Sequence, residues 1–345
     1  MKHPSRWSLL RRVLMAGFAL AATLTVAGDL ARAADKIKVG ALRFTSHSGS
    51  FVAFERGYFA KQGLDVEFIF FQAAQPMAVA IASGDVDFGV TATTAGLVNL
   101  AQKDAVRIIG GALHEEKGID GSAILVSDKA FEEGVTSPAK LGGRTFGVTQ
   151  IGSSFHFMGS RIAAKEGLAK GSLKMKPLHK VGAIIGALKS GQIDSWAIVP
   201  HLAKALAKSG KVHIIGWIND YAPDYQVTTV FTSKKNADDR KDLVKRFLTG
   251  FSMGVADFNA ALVDKTAGDT AAEDMVKLIH KYVYASRPYA KAAPSIRNGA
   301  MRINEGAALN VSNISQQLDW FKAEGLVDKS ISLDTLVDRS FVKTY

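Results

Sequence analysis

Two stretches of this chain carry groups suited to holding an anion without a fixed positive charge. One reads Arg43-Phe44-Thr45-Ser46-His47-Ser48-Gly49-Ser50, the other Thr149-Gln150-Ile151-Gly152-Ser153-Ser154. Serine and threonine supply hydroxyl donors, and glycine leaves backbone N–H groups uncovered. If each stretch opens a helix, the aligned peptide dipoles add roughly half a positive charge at each helix start. N-capping would explain either stretch alone, because serine is favoured there whatever the function. The match between them points to a site. The candidate ligand-binding residues are Thr45, Ser46, His47 and Ser48 in one stretch and Gly152, Ser153 and Ser154 in the other. Thr91, Thr93 and Thr94 join them, as does Pro200 of Val199-Pro200-His201, because both segments follow predicted strands at equivalent places. Phe51, Phe155, Trp196 and Tyr221 are candidate walls for an apolar ligand body, although a plain core would use the same rings.

His114 completes the candidate set. His47, His114, His156, His179 and His201 have no pair at metal-ligand spacing, so no metal site is expected. His47 and His156 stand out because each lies at a predicted helix start. Asp87 and Asp194 resemble a pair of catalytic carboxylates, yet each ends a matching segment, AIASGDVD and ALKSGQID. Turn chemistry, with the carboxylate bonding its own local backbone, is the expected role. No nucleophile elbow, phosphate loop or dinucleotide fingerprint is present, and neither a cofactor nor catalysis is expected.

The elements that must position these residues occur twice. Val39-Gly40 and Phe146-Gly147 lie 107 positions apart, as do the two matching segments. Residues 48–64 match 152–168 at an offset of 104, so the second copy has a first loop three residues shorter. In the first copy, strands are predicted at 36–42, 64–71 and 86–90, with helices at 51–62 and 76–83. The second repeats the order, with helices at 155–166 and 183–190. This is the β-α-β-α-β order of a mostly parallel sheet with crossover helices. Strands at 124–127 and 227–233 carry the chain into a second lobe and back. The expected fold is α/β: two similar sheets with flanking helices, joined by a two-strand hinge over a cleft. Residues 34–126 begin lobe one, 127–228 form lobe two, and 229–345 return. Helices are predicted at 237–263, 271–284, 296–305 and 311–324, clothing the first lobe.

Residues 1–33 read as a secretory signal: Lys2, Arg6, Arg11 and Arg12, then an apolar run at 13–27, then Ala31-Arg32-Ala33. Cleavage is expected after Ala33, by ordinary secretion rather than the twin-arginine route, leaving a free periplasmic protein. Removing 33 residues takes five basic residues and one acid, lowering the net charge from +11 to +7. Both signs are interleaved, so nucleic acid is not an expected partner. The chain has no cysteine, which excludes disulfides, thiolate metal sites and a lipid-bearing N-terminal cysteine.

GYFAKQGLDVEF (57–68), IASGDVDFGV (81–90), LVSDKAFEEGVTSPAKLGGRTFGV (125–148) and ALKSGQIDSWAIVPHLAKAL together resemble the NMT1/THI5-like periplasmic substrate-binding proteins of ABC importers. The resemblance spans most of residues 36–235. It implies a monomeric two-lobed receptor that closes on a small molecule and presents it to a membrane permease with its cytoplasmic ATPase. That family includes receptors for aliphatic sulfonates, taurine, nitrate and thiamine-precursor pyrimidines. The expected ligand is a small organic anion, a sulfonate or carboxylate, with a neutral heteroaromatic as the alternative. An enzyme is the alternative of another class: eukaryotic members make the thiamine pyrimidine using a histidine and an iron-binding cysteine-rich motif, and this chain has no cysteine. A receptor feeding a sensor kinase is a further alternative.

Overall fold

The computed structural model describes residues 33–345. The predicted signal segment falls outside the described residues, apart from Ala33. The first sheet begins with β1 (Asp35–Ala41), followed by α1 (Ser48–Glu55) and α2 (Tyr58–Lys61), then β2 (Leu64–Phe70). It continues through α3 (Ala74–Ala82), β3 (Phe88–Thr91), α4 (Ala95–Gln102) and β4 (Val106–Gly111). The chain then crosses to β5 (Ala123–Ser127), α5 (Asp128–Glu132), β6 (Thr145–Val148), α6 (Ser154–Lys165) and β7 (Lys174–Pro177). After α7 (Val181–Lys189) come β8 (Ser195–Ile198), α8 (Pro200–Ala207), β9 (Val212–Trp217) and the return strand β10 (Thr229–Ser233).

The strand orders are β2-β1-β3-β10-β4 and β7-β6-β8-β5-β9. β10 runs antiparallel to both its neighbours, and so does β5. Four strands of each sheet therefore share one direction, and the fifth is the strand on which the chain arrives from the other sheet. Both arriving strands carry a register shift at their second residue, between Val230 and Phe231 and between Ile124 and Leu125. The duplication thus extends to β4 and β9, which the motif pattern had not marked as strands.

The repeated aspartates explain why the two copies keep the same frame. Asp87 Oδ2 accepts the Lys38 N–H at 2.8 Å, and Asp194 Oδ2 accepts the Thr145 N–H at 2.7 Å. Each bond spans 49 residues and ties the third strand's entry to the first strand. The expectation of local turn chemistry is corrected: the carboxylates satisfy backbone across the sheet. Thr145 Oγ1 also donates to Asp194. The turn itself belongs to Gly84 and Gly191, whose φ of 84° and 71° only glycine adopts without strain.

Beyond β10 lie α9 (Lys234–Asp239), α10 (Lys241–Phe258), α11 (Gly268–His280), α12 (Tyr289–Arg297), α13 (Val311–Ala323) and α14 (Leu333–Leu336). The helix predicted at 296–305 is displaced to α12, because Ile303 leaves the helix to bridge Leu113. These helices do more than clothe the first sheet. α10 and α11 pack on α1, but α12 packs on α8 of the second sheet. Trp320 of α13 meets His156 and Phe157 of α6 edge-on, at 5.0 and 5.2 Å between ring centres.

Asp194→Ala leaves the Thr145 amide without its acceptor and is expected to lower stability by about 1–3 kcal/mol. Urea unfolding with an unchanged midpoint would show that the strand does not need the pin.

Candidate functional site

In both sheets the same-direction strands deliver their carboxyl ends to one cleft, and each following helix begins there. The cavity between them is lined by the first residues of several helices: Ala73 and Ala74 at α3, Ser153, Ser154 and Phe155 at α6, Val181 at α7, and Val199 at α8. Ser46 and His47, from the single 3-10 turn Thr45–His47 that leads into α1, join them. No side chain caps α3, α7 or α8; the first N–H groups of α3 and α7 are left to the cleft, while α8 opens on Pro200, which has none. At α6, Ser153 accepts the His156 N–H. Helix starts facing one gap sum to a positive potential, although among the described residues no lysine, arginine, aspartate or glutamate lines the cavity.

The remaining polar lining is almost all hydroxyl. Ser46, Thr91, Thr149 and Ser154 line the cavity, and their hydroxyls have no protein hydrogen-bond partner among the described residues. Thr228 Oγ1 accepts the Leu113 N–H at 2.9 Å, which leaves its proton free to donate. Ser122 Oγ is fully buried and unpartnered. His47 Nδ1 accepts the Leu42 N–H at 3.4 Å, so the ring proton sits on Nε2. Burial pushes its pKa down to about 3, which keeps the imidazole a neutral donor. Phe44, Leu113, Phe155, Met158 and Val227 supply the apolar wall.

The cleft is closed. The Ala95 N–H donates to Gly152 O at 2.9 Å across the seam, and Gln150 Nε2 reaches Gln75 Oε1 at 3.3 Å. The cavity leaves only about 60 Å3 for the centres of water molecules. A larger, more open groove of about 580 Å3 lies beside α8 and α11, but its charges have both signs and Lys204 there already binds Asp120.

Of the residues singled out from the sequence, Ser46, His47, Thr91, Ser153, Ser154 and Phe155 are brought together at the cavity. The others lie elsewhere. Thr45 shares a 2.9 Å hydrogen bond with His201 Nδ1, outside the cavity. Ser48 and Thr93 are buried with unpartnered hydroxyls. Thr94 caps α4 and donates to Gln75. Phe51 stacks on Tyr282 at 4.4 Å and Trp196 is a fully buried core ring beside Phe155, so core packing claims both. His114 pairs with Asn304, Tyr221 donates to Glu166 at 2.6 Å, Pro200 opens α8, and Gly152 forms the seam. His156 packs on Trp320, outside the cavity.

Ser122 and Thr228 were missed, yet the sequence held a signal for them. S-A-I-L-V-S (122–127) and T-T-V-F-T-S (228–233) are equivalent segments, each with a hydroxyl just before the crossing strand and a capping serine after it.

Two mixed sheets, each holding the other's crossing strand and closed over such a cleft, define the periplasmic-binding-protein fold. The chain belongs to the NMT1/THI5-like family, whose model matches residues 44–261. Among solved structures it is similar to the alkanesulfonate-binding protein SsuA of Xanthomonas axonopodis pv. citri bound to MOPS. The two are 18% identical over 88% of this chain and 98% of that one, with a TM-score of 0.69. The nitrate-binding protein NrtA of Synechocystis PCC 6803 is 13% identical over 88% and 86%, with a TM-score of 0.69. The zinc-bound ligand-binding component of an ABC-type import system from Staphylococcus aureus is 15% identical over 89% and 97%, with a TM-score of 0.66. A search of curated protein sequences gave no match.

Gly152 combines a φ of 80° with a seam so tight that an added Cβ would fall 2.6 Å from the Ala95 Cβ. Gly152→Ala is therefore expected to hold the lobes apart while the protein stays folded. Small-angle scattering should record a larger radius of gyration; the wild-type value would show that the seam can yield.

Proposed function

We propose that this protein is the substrate-binding component of an ABC importer, working in the periplasm as a monomer that closes on a small organic anion and presents it to a membrane permease. Its role in this reading is binding, without turnover. The observation that carries the anion assignment is a cavity full of neutral donors. Uncapped helix starts, seven hydroxyls and the His47 Nε2–H converge there, and among the described residues no side-chain carboxylate or cation takes part. Fixed dipoles inside a low-dielectric cavity stabilise a small negative group without needing to reorganise around it. The apolar wall suits a short carbon body behind a sulfonate or carboxylate. Family membership and the fold shared with importer components support the transport role.

A neutral heteroaromatic is the second reading, favoured by Phe44 and Phe155 in a lining without a cationic side chain. Isothermal titration with propane-1-sulfonate, benzenesulfonate, short carboxylates and an aminopyrimidine separates the two. The anion reading expects heat from at least one of the anions, with affinity falling as salt rises. Binding of the pyrimidine alone, indifferent to salt, would replace it. Ser154→Ala is expected to weaken the bound anion about tenfold with an unchanged melting temperature, since one hydrogen bond to a charged group is lost.

A further inference from the structure

His201 lies outside the cavity, at the junction of three parts of the chain. It belongs to α8, on the second sheet. Its Nδ1 meets Thr45 Oγ1, which precedes α1 on the first sheet, at 2.9 Å. Thr45 Oγ1 also donates to Gly299 O at 3.2 Å, just past α12. The Phe44 ring lies 5.6 Å away, the Tyr284 ring 5.7 Å, and Tyr284 O–H donates to His201 O at 3.1 Å. Gly299 approaches so closely that a Cβ there would fall 2.2 Å from the His201 Cβ. The C-terminal segment itself is bound to the first sheet, since α11 packs on α1. Lys204, one turn further along α8, holds Asn298 O at 2.7 Å and Asp120 at 2.6 Å.

The proton positions at this junction are fixed by its partners. Thr45 spends its hydroxyl proton on Gly299 O, so it accepts from His201 Nδ1–H. His201 Nε2 is then a bare lone pair, fully buried and without a partner. A second proton would place an N–H on that nitrogen with no acceptor in reach. No carboxylate offers to balance the charge. The titratable neighbours are Tyr284, Lys204 with its partner Asp120, Arg287 over the Tyr284 ring, and His47 behind Phe44.

The cavity admits a ligand only if the lobes part, because Ser46, His47, Thr91 and Ser153 are each at most 5% exposed. Parting the lobes must break the Thr45–His201 bond and bring the imidazole into water. We propose that His201 is an interlobe latch that engages only as a neutral imidazole, so that acid releases the closed cleft and whatever it holds. This rests on the reading of the cleft as a closing ligand site.

The direction follows from linkage. Burial alone pushes the closed-state pKa down to about 3, while a solvated histidine titrates near 6.5. The open form binds the proton. Closure is therefore fully favoured above the ordinary histidine range and is lost progressively as pH falls from there toward 3. Between pH 7.5 and 5.5 the open-to-closed ratio should rise about tenfold.

The test needs no ligand. The chain has no cysteine, so Glu67→Cys with Lys174→Cys places two spin labels, one on each sheet, at exposed strand positions. The latch expects the interlobe distance to lengthen between pH 7.5 and 5, with the His201 Cε1 proton resonance titrating below the ordinary histidine pKa. His201→Gln, which cannot charge, should remove that tenfold share of the response. Thr45→Val should favour the open form already at pH 7.5. An ordinary His201 titration with a constant distance overturns the proposal. So does an undiminished acid response in His201→Gln, which would move the effect to His47. Failure of every anion in the calorimetric panel would leave these readouts intact, so the two readings fail separately.

Discussion

The structure depends on one directional constraint. Parallel strands joined by crossover helices send every strand's carboxyl end, and every following helix's amino end, toward the same edge of the sheet. Two such sheets face each other here, and the helix starts at Ala74, Ser154 and Val181, with Val199 just before α8, all lie against one gap. A positive potential forms there from backbone alone. Placing lysine or arginine in so small a cavity would require burying a charge, at a cost of several kcal/mol, whenever it stood empty. Neutral hydroxyls and a neutral imidazole avoid that cost and still donate. The absence of charged lining is thus the consequence of an architecture that already carries the field.

The same constraint dictates how the lobes meet. Helix starts can converge only if the backbone comes close, and closeness is achieved where side chains are missing. Gly152 against Ala95 forms one seam, and Gly299 against His201 another. Both combine steric fit with a hydrogen bond, Ala95 N–H to Gly152 O and Thr45 to His201. The C-terminal helices reinforce the second seam, since α12 grips α8 while α11 stays on α1. Closure is therefore a contest between two small-residue seams and the solvation of the groups they bury.

Much of this was legible in the sequence because duplication is a pattern that needs no packing knowledge to see. The repeated SG-x-[VI]-D fixed the frame, and the serine-rich stretches that follow β1 and β6 do reach the cleft through Ser46, His47, Ser153, Ser154 and Phe155. What the pattern could not tell was direction within a helix. Phe51 and Phe155 are equivalent in the repeat, yet Phe51 turns to stack on Tyr282, a residue 231 positions away that has no counterpart in the second copy. The C-terminal helices break the symmetry, and they lie outside the repeat. Pairing over such separations leaves no local spacing to read, which is also why Ile303 leaving its helix for Leu113 was invisible.

The two histidines at the repeated helix starts show where the copies have diverged in chemistry. Each has its Nδ1 held by a backbone N–H, from Leu42 at 3.4 Å for His47 and from Gly152 at 3.1 Å for His156. That shared arrangement fixes the tautomer and leaves Nε2–H to act as donor. In the first copy the extra three residues form a 3-10 turn before the helix, and His47 lines the cavity. In the second copy the helix starts directly after its serine cap, and His156 lies within the first turn, against Trp320. The two rings sit at different places in their helices, His47 just before α1 and His156 inside α6, and only His47 reaches the cavity. Among the described residues, the asymmetry puts the one imidazole donor of the cavity on the first sheet, with Ser154 and the uncapped start of α7 lining it from the second. A ligand with acceptors at both ends of its polar head would bridge the two, which couples recognition to closure.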